Sequence, residues 1–266
     1  MKLSIITINY NNETGLEKTI KSIINQTFTD YEYIIIDGGS TDGSIGVIKK
    51  YAEHINHWIS ESDKGIYNAM NKGINQAKGE YLNFMNSGDC FHAPTVLEEI
   101  IHNSQGEDII IGKCCNAETK EINRSLKRGQ AITMMTLMKE MINHQSTFYR
   151  RTIFERHPYD ENLQMISDWK VNIQSIIFDN CKVKVVDTLV TDYDMTGISS
   201  TNSALFVAER KKVLDELIPK RIQQDYERLY TDEELPIVTL LPKLKESWRL
   251  QRFIYRLTKW LLKFRK

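Results

Sequence analysis

The sequence predicts an α/β fold: a mostly parallel, Rossmann-like sheet flanked by helices and followed by a C-terminal helical extension. Short apolar segments alternate with amphipathic helical segments through the first half of the chain, which is typical of parallel sheets. Several of these apolar segments end abruptly at polar or glycine-rich turns. The chain has 266 residues, 41% of them hydrophobic, which is enough for one large domain with a sizeable core.

The first half contains five predicted strands with helices between them. Continuous apolar runs predict strands at Leu3–Ile8, Tyr31–Ile36, His57–Ser60, Glu80–Met85 and Asp108–Gly112. Helical spacing predicts helices at Glu13–Gln26, from Asp42 to about Glu53, at Gly65–Ala77, and from Pro94 onward.

The second half is less regular. It predicts strands at Lys120–Arg124, Asn143–Tyr149 and Lys182–Val186, and helices at Asp168–Phe178, Ser203–Tyr230 and Lys243–Lys266. No Pro/Gly-rich linker separates the two halves. We therefore expect one continuous domain over residues 1–200, with halves 1–112 and 113–200, followed by C-terminal helices over 201–266.

Composition excludes several classes of protein. No apolar run approaches the roughly 18 residues that a membrane span requires. Four cysteines without a CxxC pair favour reduced thiols in the cytoplasm over a zinc site. Residues 243–266 carry nine Lys or Arg and one Glu, a net charge of +8, whereas the other 242 residues have a net charge of −8. The main body is therefore not expected to bind nucleic acid.

The basic C-terminal segment has the pattern of an interfacial helix. An apolar stripe (Leu250, Phe253, Ile254, Leu257, Leu261, Phe264) faces away from a basic stripe (Arg249, Arg252, Arg256, Lys259, Lys263, Lys266). Trp248 and Trp260 lie near the boundary. This arrangement favours a helix lying on an anionic membrane surface. The alternative is a helix packed on the protein itself or at the interface of a homodimer.

Polar residues follow three of the predicted strands. Thr7 and Asn9 lie at the end of the first strand, Asp37 ends the second, and Asn86-Ser87-Gly88-Asp89 follows the fourth. Ligands of open parallel sheets bind beyond the carboxyl ends of the strands. We therefore expect these side chains to converge on one ligand, such as a nucleotide.

Two of these carboxylates have alternative interpretations. Asp37 could accept a hydrogen bond from a base ring N–H, or it could cap the turn that follows it. Asp89 could bind a divalent cation that bridges two phosphates, or it could be a turn residue before the Pro94 helix. The turn Gly38–Gly43 lacks the lysine of a P-loop and there is no GxGxxG, which argues against an NTPase or a dinucleotide oxidoreductase.

Several segments in order resemble family 2 glycosyltransferases of the GT-A fold. The matching segments cover residues 3–89 densely. The first two are the strand with Tyr-Asn-Asn at Leu3–Asn12 and the motif Ser-Ile-x-x-Gln at Ser22–Gln26. The others are Glu32–Gly43, Ser62–Ile74 and Gly79–Asp89. The last two are especially similar to bacterial enzymes of exopolysaccharide and O-antigen assembly. The resemblance implies that residues 1–112 bind a nucleoside-diphosphate sugar and that residues 113–200 bind the acceptor.

The resemblance also implies roles in donor binding. Thr7 and Asn9 would line the nucleotide pocket and Asp37 would read the base. Lys64 and Asn71 would lie near the base or the diphosphate, with Asn86 and Ser87 beside them. Asp89 takes the place of the last Asp of the family's DxD motif, which contacts Mn²⁺ or Mg²⁺.

In the second half the resemblance is sparser. His144 and Gln145 lie in a segment similar to the family's acceptor-side segment, and Ile166–Trp169 is similar to the place of the catalytic base, which would make Asp168 the base. From pattern alone, Asp168 is better explained as an acidic residue at a helix N-terminus, and His144 as a structural histidine. Asp160 and Glu161 are the nearby alternatives for the base. Residues 197–200 resemble a loop that closes over the diphosphate.

Two positions depart from the family pattern. Ser87 replaces the first Asp of DxD, and Met70 replaces the Arg of the family's Ala-Arg-Asn. The expected function is an inverting, metal-dependent transfer of a sugar, with a UDP-sugar as the expected donor, to a glycan or polyprenyl-diphosphate-linked acceptor in cell-surface polysaccharide synthesis. The expected location is the cytoplasm, peripherally attached to the inner face of the membrane. The alternatives are an inactive nucleotide-sugar-binding module and a nucleotidyltransferase of related fold.

Overall fold

The computed structural model describes residues 2–122, 126–194, 203–233 and 247–262. The chain divides into two compact units, residues 1–210 and 211–266. The predicted boundary between residues 200 and 201, and the predicted loop at 197–200, lie outside the described residues.

One curved sheet forms the framework of the first unit. Within the described residues it contains eight strands in the order β3-β2-β1-β4-β7-β6-β8-β5. The strands are β1 (Leu3–Asn9), β2 (Tyr31–Asp37), β3 (His57–Ser60), β4 (Tyr81–Phe84), β5 (Cys90–Phe91), β6 (Ile109–Asn116), β7 (Thr147–Arg150) and β8 (Val183–Tyr193). The first four are mutually parallel, and β6 is parallel to β8. The mostly parallel α/β architecture predicted from the sequence is confirmed.

The helices lie between and after the strands. They are α1 (Glu13–Ile24), α2 (Ser44–Lys50), α3 (Ile66–Gln76), α4 (Val96–Asn103), α5 (Met134–Lys139), α6 (Thr152–Arg156), α7 (Ser167–Asn172), α8 (Ser203–Leu217), α9 (Lys220–Glu233) and α10 (Trp248–Leu262). The α7 helix continues as a π-helical segment, Ile173–Phe178. In the described part of the chain no helix is long and apolar enough to cross a membrane.

The core forms where the apolar faces of the helices meet the sheet. In α1, Leu16, Ile20 and Ile23 are fully buried against residues of β1 and β2, as their helical spacing predicts. The α3 helix approaches β1 closely because Gly73 has no side chain: a Cβ there would lie 2.5 Å from Cγ2 of Ile6.

Several predicted elements differ from the structure, three of them most clearly. The predicted strand at Lys120–Arg124 is only a bridge between Ile122 and Cys115, and residues 123–125 lie outside the described residues. The predicted strand at Asn143–Tyr149 begins as a 3₁₀ turn, His144–Ser146, before β7. The predicted helix Ser203–Tyr230 is two helices, because Pro219 lacks an N–H and cannot continue α8.

Candidate active site

The carboxyl ends of β1, β2 and β4 meet at one edge of the sheet, as predicted. The segment after β4 stays against β1: the Met85 and Ser87 N–H groups donate to the carbonyl oxygens of Ile6 and Ile8, at 2.9 and 3.1 Å. Because of this pairing, Asn9, Asp37 and Ser87 form one hydrogen-bonded cluster. Asn9 Nδ2 donates to Asp37 Oδ1 at 2.7 Å, and Ser87 Oγ donates to Asn9 Oδ1 at 2.8 Å.

The Asp37 carboxylate is fully buried and accepts hydrogen bonds from five donors. They are Asn9 Nδ2, the hydroxyls of Ser40 and Ser60 at 2.6 Å each, and the backbone N–H groups of Gly39 and Ser40 at 3.2 and 2.9 Å. Burial acts to raise the pKa of Asp37, but these hydrogen bonds outweigh it and hold the pKa below its ordinary value. The carboxylate therefore organises the turn after β2, as the turn-capping alternative described.

Thr7 is also fully buried and its hydroxyl is used inside the protein. Thr7 Oγ1 donates to the Met85 carbonyl at 2.7 Å and accepts from the Tyr33 hydroxyl at 3.1 Å. Its side chain ties β1 to the segment after β4, and the neighbouring Asn9 carries the polar groups at the strand end.

Lys64 and Asn71 lie beside the loop at Tyr159–Glu161. Asn71 Nδ2 donates to the Tyr159 carbonyl and to Glu161 Oε1, both at 2.9 Å, and Asn71 Oδ1 accepts from the Tyr159 N–H at 3.1 Å. The exposed Lys64 is close enough to Glu161 to help lower its pKa, although hydrogen bonds from Asn71 and Asn68 lower it more. Asn71 thus holds the α3 helix to this loop with all of its amide atoms.

The turn Ser87-Gly88-Asp89 places one carboxylate in the interior. Gly88 has φ 106°, a backbone conformation that favours glycine. Asp89 Oδ1 accepts the Asp194 N–H at 2.9 Å, and Gln145 donates to the same carboxylate. Burial raises the pKa of Asp89 to about 6, against the opposing effects of the Asp194 N–H and of nearby His144.

A second carboxylate lies beside the same turn. A Cβ at Gly88 would lie 2.9 Å from Asp194 Oδ2, so the Asp194 side chain packs directly on the glycine. Mg²⁺ and related hard cations bind through one or two carboxylates together with substrate phosphates. In the described part of the chain no cluster of three or more His, Cys, Asp or Glu side chains could hold a metal alone. A cation at Asp89 and Asp194 would therefore need further ligands, such as the oxygens of a diphosphate.

Asp168 lies at the start of α7 and is linked to the same region. Its Oδ2 lies 3.2 Å from His144 Nδ1, and its Oδ1 accepts the Trp169 N–H at 2.8 Å. On the other side of the imidazole, His144 Nε2 lies 3.1 Å from Asn86 Nδ2. The structure thus brings Asn86, Asp89, His144, Gln145 and Asp168 together, from two distant parts of the sequence.

Three kinds of residue that contribute to the site were not predicted from the sequence. Ser40 and Ser60 hold Asp37, and a serine pattern gives no signal for that. Tyr67 accepts hydrogen bonds from the backbone N–H groups of Ser167 and Asp168, so it fixes the start of α7. Asp194 comes 105 residues after Asp89, and no spacing rule connects two residues that only the sheet brings together.

Sequence comparison identifies one family. The sequence profile described as "Glycosyl transferase family 2" matches residues 4–159. A PGL/p-HBAD biosynthesis glycosyltransferase of Mycobacterium bovis (strain BCG / Pasteur 1173P2) is 28% identical over 207 residues, covering 74% of this chain and 79% of the relative. An uncharacterized glycosyltransferase of Mycobacterium tuberculosis (strain CDC 1551 / Oshkosh) is 27% identical over 203 residues, with coverages of 74% and 77%.

Structural comparison identifies the GT-A fold. The crystal structure of S. aureus TarS 1-349 in complex with UDP-GlcNAc matches with a TM-score of 0.65 at 19% identity, covering 77% of this chain and 61% of that chain. The mannosyltransferase PcManGT from Pyrobaculum calidifontis, in complex with GDP-Man and Mn²⁺, matches with a TM-score of 0.58 at 13% identity, covering 95% and 82%. These similarities concern the fold.

Proposed function

The chain belongs to glycosyl transferase family 2, and we propose that it transfers a sugar from a nucleoside-diphosphate sugar to an acceptor hydroxyl with inversion at the anomeric carbon. A UDP-sugar is the proposed donor, and a glycan or polyprenyl-diphosphate-linked molecule of cell-surface polysaccharide synthesis is the proposed acceptor. The UDP-GlcNAc bound to TarS supports this class of donor.

The observation that carries the proposal is that two buried carboxylates lie near the same histidine. Asp168 and Asp89 are both less than a tenth exposed. His144 contacts the first directly and acts electrostatically on the second. Transfer with inversion needs one group to take a proton and another to stabilise the leaving group, and this arrangement would place the two groups close together.

In the proposed mechanism, Asp168 is the general base. Its Oδ2 accepts the proton of the acceptor hydroxyl while that oxygen attacks the anomeric carbon and the bond to the diphosphate breaks. A positioned carboxylate contributes about 10²–10⁴-fold to such a step. His144 and the Trp169 N–H contact the two oxygens of this carboxylate, and Tyr67 lies against the backbone at the start of α7.

The leaving diphosphate is proposed to lie at the turn Ser87-Gly88-Asp89. Asp89 and Asp194 would hold a Mn²⁺ or Mg²⁺ ion there together with the diphosphate oxygens, and the ion would supply positive charge to the leaving group. Gln145 orients the Asp89 carboxylate by donating to it. Asn9 and Asp37 shape the neighbouring nucleotide pocket, and Asn86 and Ser87 line its boundary with the sugar.

We propose that Lys64 contacts the donor directly, whereas Asn71 and Thr7 support the donor pocket. The exposed Lys64 ammonium is free to approach a diphosphate across solvent. Asn71 and Thr7 are engaged with the protein, so their proposed contribution is to hold the pocket walls in place.

The C-terminal helix is proposed to attach the enzyme peripherally to the cytoplasmic face of the membrane. In α10, Trp248, Phe253 and Trp260 are each more than half exposed. Arg252 stacks on Trp248, with its guanidinium carbon 5.0 Å from the ring centroid. Tryptophans beside a basic stripe suit the headgroup region of anionic lipids.

One observation keeps an inactive nucleotide-sugar-binding module as the second candidate. Ser87, in the place of an acidic residue, uses its hydroxyl to donate to Asn9, so the site has one carboxylate fewer than the family motif.

Turnover decides between the two candidates. The assay measures release of UDP, GDP or dTDP from the corresponding sugar nucleotides with Mn²⁺, with water or a glycan hydroxyl as the sugar acceptor, for the natural chain and for Asp168→Asn. We expect turnover of one donor, and a loss of roughly 10²–10⁴-fold in Asp168→Asn with donor binding unchanged. Near-normal turnover by Asp168→Asn would remove Asp168 from its role, and binding without turnover by the natural chain would favour the inactive module.

A further inference from the structure

We propose that Asn86 and His144 are positioning residues that deliver one fixed N–H, on His144 Nδ1, to Oδ2 of Asp168. The proposal rests on the proposed function only in calling Asp168 the base. The placement of the proton follows from the geometry of the three side chains.

The first step is the contact between His144 and Asp168. The two atoms, His144 Nδ1 and Asp168 Oδ2, lie 3.2 Å apart, and both side chains are at most 15% exposed. An ionised carboxylate can only accept hydrogen bonds. Nδ1 must therefore carry a proton whenever this contact is made.

The second step concerns the other ring nitrogen. His144 Nε2 lies 3.1 Å from Asn86 Nδ2, which is a donor. With Nδ1 protonated, the Nε2 atom of a neutral imidazole is an acceptor, so the amide donates to it. The hydrogen bond made by one ring nitrogen decides which nitrogen of a histidine carries the proton. Asn86 thus selects the Nδ1–H form.

The opposite orientation of the amide leads to the same contact with Asp168. If Asn86 Oδ1 faced the ring, Nε2 would need a proton as well, and the imidazole would be a cation paired with Asp168. In the orientation described, Asn86 Oδ1 is buried without a hydrogen-bond partner among the described residues. In both orientations the proton is on His144 Nδ1 and is donated to Asp168 Oδ2, and the two orientations differ only in the charge of His144.

The third step concerns what the fixed N–H does for the base. Asp168 Oδ1 is held by the Trp169 N–H at 2.8 Å, so the His144 N–H completes the support of the carboxylate from its other oxygen. A carboxylate held at both oxygens keeps one orientation and leaves the remaining lone pairs of Oδ2 for the acceptor hydroxyl. By analogy with the partners that orient metal ligands, we expect this contact to contribute roughly 10–100-fold to activity.

The direct test is the tautomer of His144 in the free protein. Long-range ¹H–¹⁵N correlation spectra of histidine-labelled protein, recorded at about pH 8 where an ordinary imidazole is neutral, identify the protonated ring nitrogen. His144→Asn assigns the signals by their loss. We expect a proton on Nδ1 in the natural chain. Asn86→Leu removes the donor to Nε2, so a population that is protonated on Nε2 and has lost the contact with Asp168 should appear. Asn86→Asp is the second variant: its carboxylate accepts from Nε2, so the ring should become doubly protonated.

Kinetics supply the functional readout. His144→Asn keeps an N–H close to the position of Nδ1, whereas His144→Leu removes it. We expect His144→Leu to lower kcat roughly 10–100-fold with the donor KM unchanged, and His144→Asn to recover much of that loss.

Two outcomes would overturn the proposal: an Nε2-protonated neutral ring in the natural chain, or equal kcat values for His144→Leu and His144→Asn. Absence of turnover in the natural chain would instead contradict the proposed function, while the spectra would still decide where the proton lies.

Discussion

At the scale of single residues, Asp37 shows how a buried charge is accommodated. The carboxylate is removed from water, which is costly, yet five donors surround it and keep it ionised. The donors come from β1, from the turn after β2 and from the end of β3. Asp37 therefore ties three parallel strands together at the edge where the donor is proposed to bind.

The first prediction concerns the pH dependence of stability at Asp37. Because its folded pKa is below the ordinary value of 3.8, its contribution is present above about pH 4 and is lost as the pH falls through the folded pKa. Asp37→Asn should lower the free energy of unfolding at pH 7 by about 2 kcal/mol or more. The difference from the natural chain should narrow below about pH 4.

Urea unfolding at pH 7 and below about pH 4 measures the difference in the free energy of unfolding. Asp225→Asn, at an exposed position of α9, is the control for loss of charge alone. A difference that stays constant as the pH falls from 7 through the range below about pH 4 would contradict the assignment.

The sequence could predict single site residues only where the chain itself marks them. Asp37 and Asp89 stand where a strand ends, so their place at the sheet edge follows from the pattern. The hydrogen bonds of each carboxylate could not be predicted, because their donors are distant in the sequence. They are the Ser60 hydroxyl for Asp37 and the Asp194 N–H for Asp89. Tyr67 looks like a core residue in the sequence, and only tertiary packing gives its hydroxyl a partner.

At the scale of elements, the α3 helix illustrates how closely a helix must approach the sheet. Gly73 lies over Ile6, and the space between them has no room for a methyl group. Tyr67 and Asn71 on the same helix reach α7 and the Tyr159–Glu161 loop. The position of α3 is therefore connected to the position of the proposed base.

The second prediction compares two glycines in helices. A Cβ at Gly73 would lie 2.5 Å from Ile6 Cγ2, whereas a Cβ at Gly46 in α2 would have no atom within 4 Å. Gly73→Ala should destabilise the protein by about 1–3 kcal/mol through overpacking. Gly46→Ala should stabilise it by about 0.5–1 kcal/mol, because alanine favours the helix.

Thermal unfolding of both variants tests this pair. The expected result is a lower Tm for Gly73→Ala and a higher one for Gly46→Ala. An equal rise in both would show that α3 does not pack on β1 as closely as described.

Elements in the first half were predictable because apolar runs and helical spacing alternate there without interruption. The second half was harder for two physical reasons. The β7 strand is antiparallel to both of its neighbours, β4 and β6, and no local pattern reveals the direction of a strand in a sheet. Pro219 marks the end of a helix, but the sequence on both sides of it is similarly polar and helical, so a single helix was predicted there.

At the scale of the whole molecule, the charge is unevenly distributed along the chain. The last 24 residues carry a net charge of +8 and the rest −8. Each Lys or Arg near an anionic bilayer contributes about 1 kcal/mol to binding. A chain with this distribution is expected to meet an anionic surface with its C-terminal helix first.

The third prediction concerns removal of that helix. Deletion of residues 243–266 should abolish sedimentation with vesicles that contain anionic lipid, because both the basic stripe and the apolar stripe are lost. Vesicles of neutral lipid are the control for non-specific pelleting, and donor binding by the shortened chain is the control for folding. Equal sedimentation of both chains would refute the role of the helix, and conversion of a dimer to a monomer on deletion would assign it to a homodimer interface instead.

The central claim is that the turn carrying Asp89 anchors the activated sugar through a divalent cation at the carboxyl edge of the sheet. Isothermal titration of the sugar nucleotide selected by the turnover assay, with and without Mn²⁺, tests it on the natural chain and on Asp89→Asn. We predict that Mn²⁺ strengthens binding to the natural chain, and that Asp89→Asn loses this gain, roughly tenfold or more in Kd. An Asp89→Asn variant with the same affinity and the same response to Mn²⁺ would contradict the claim.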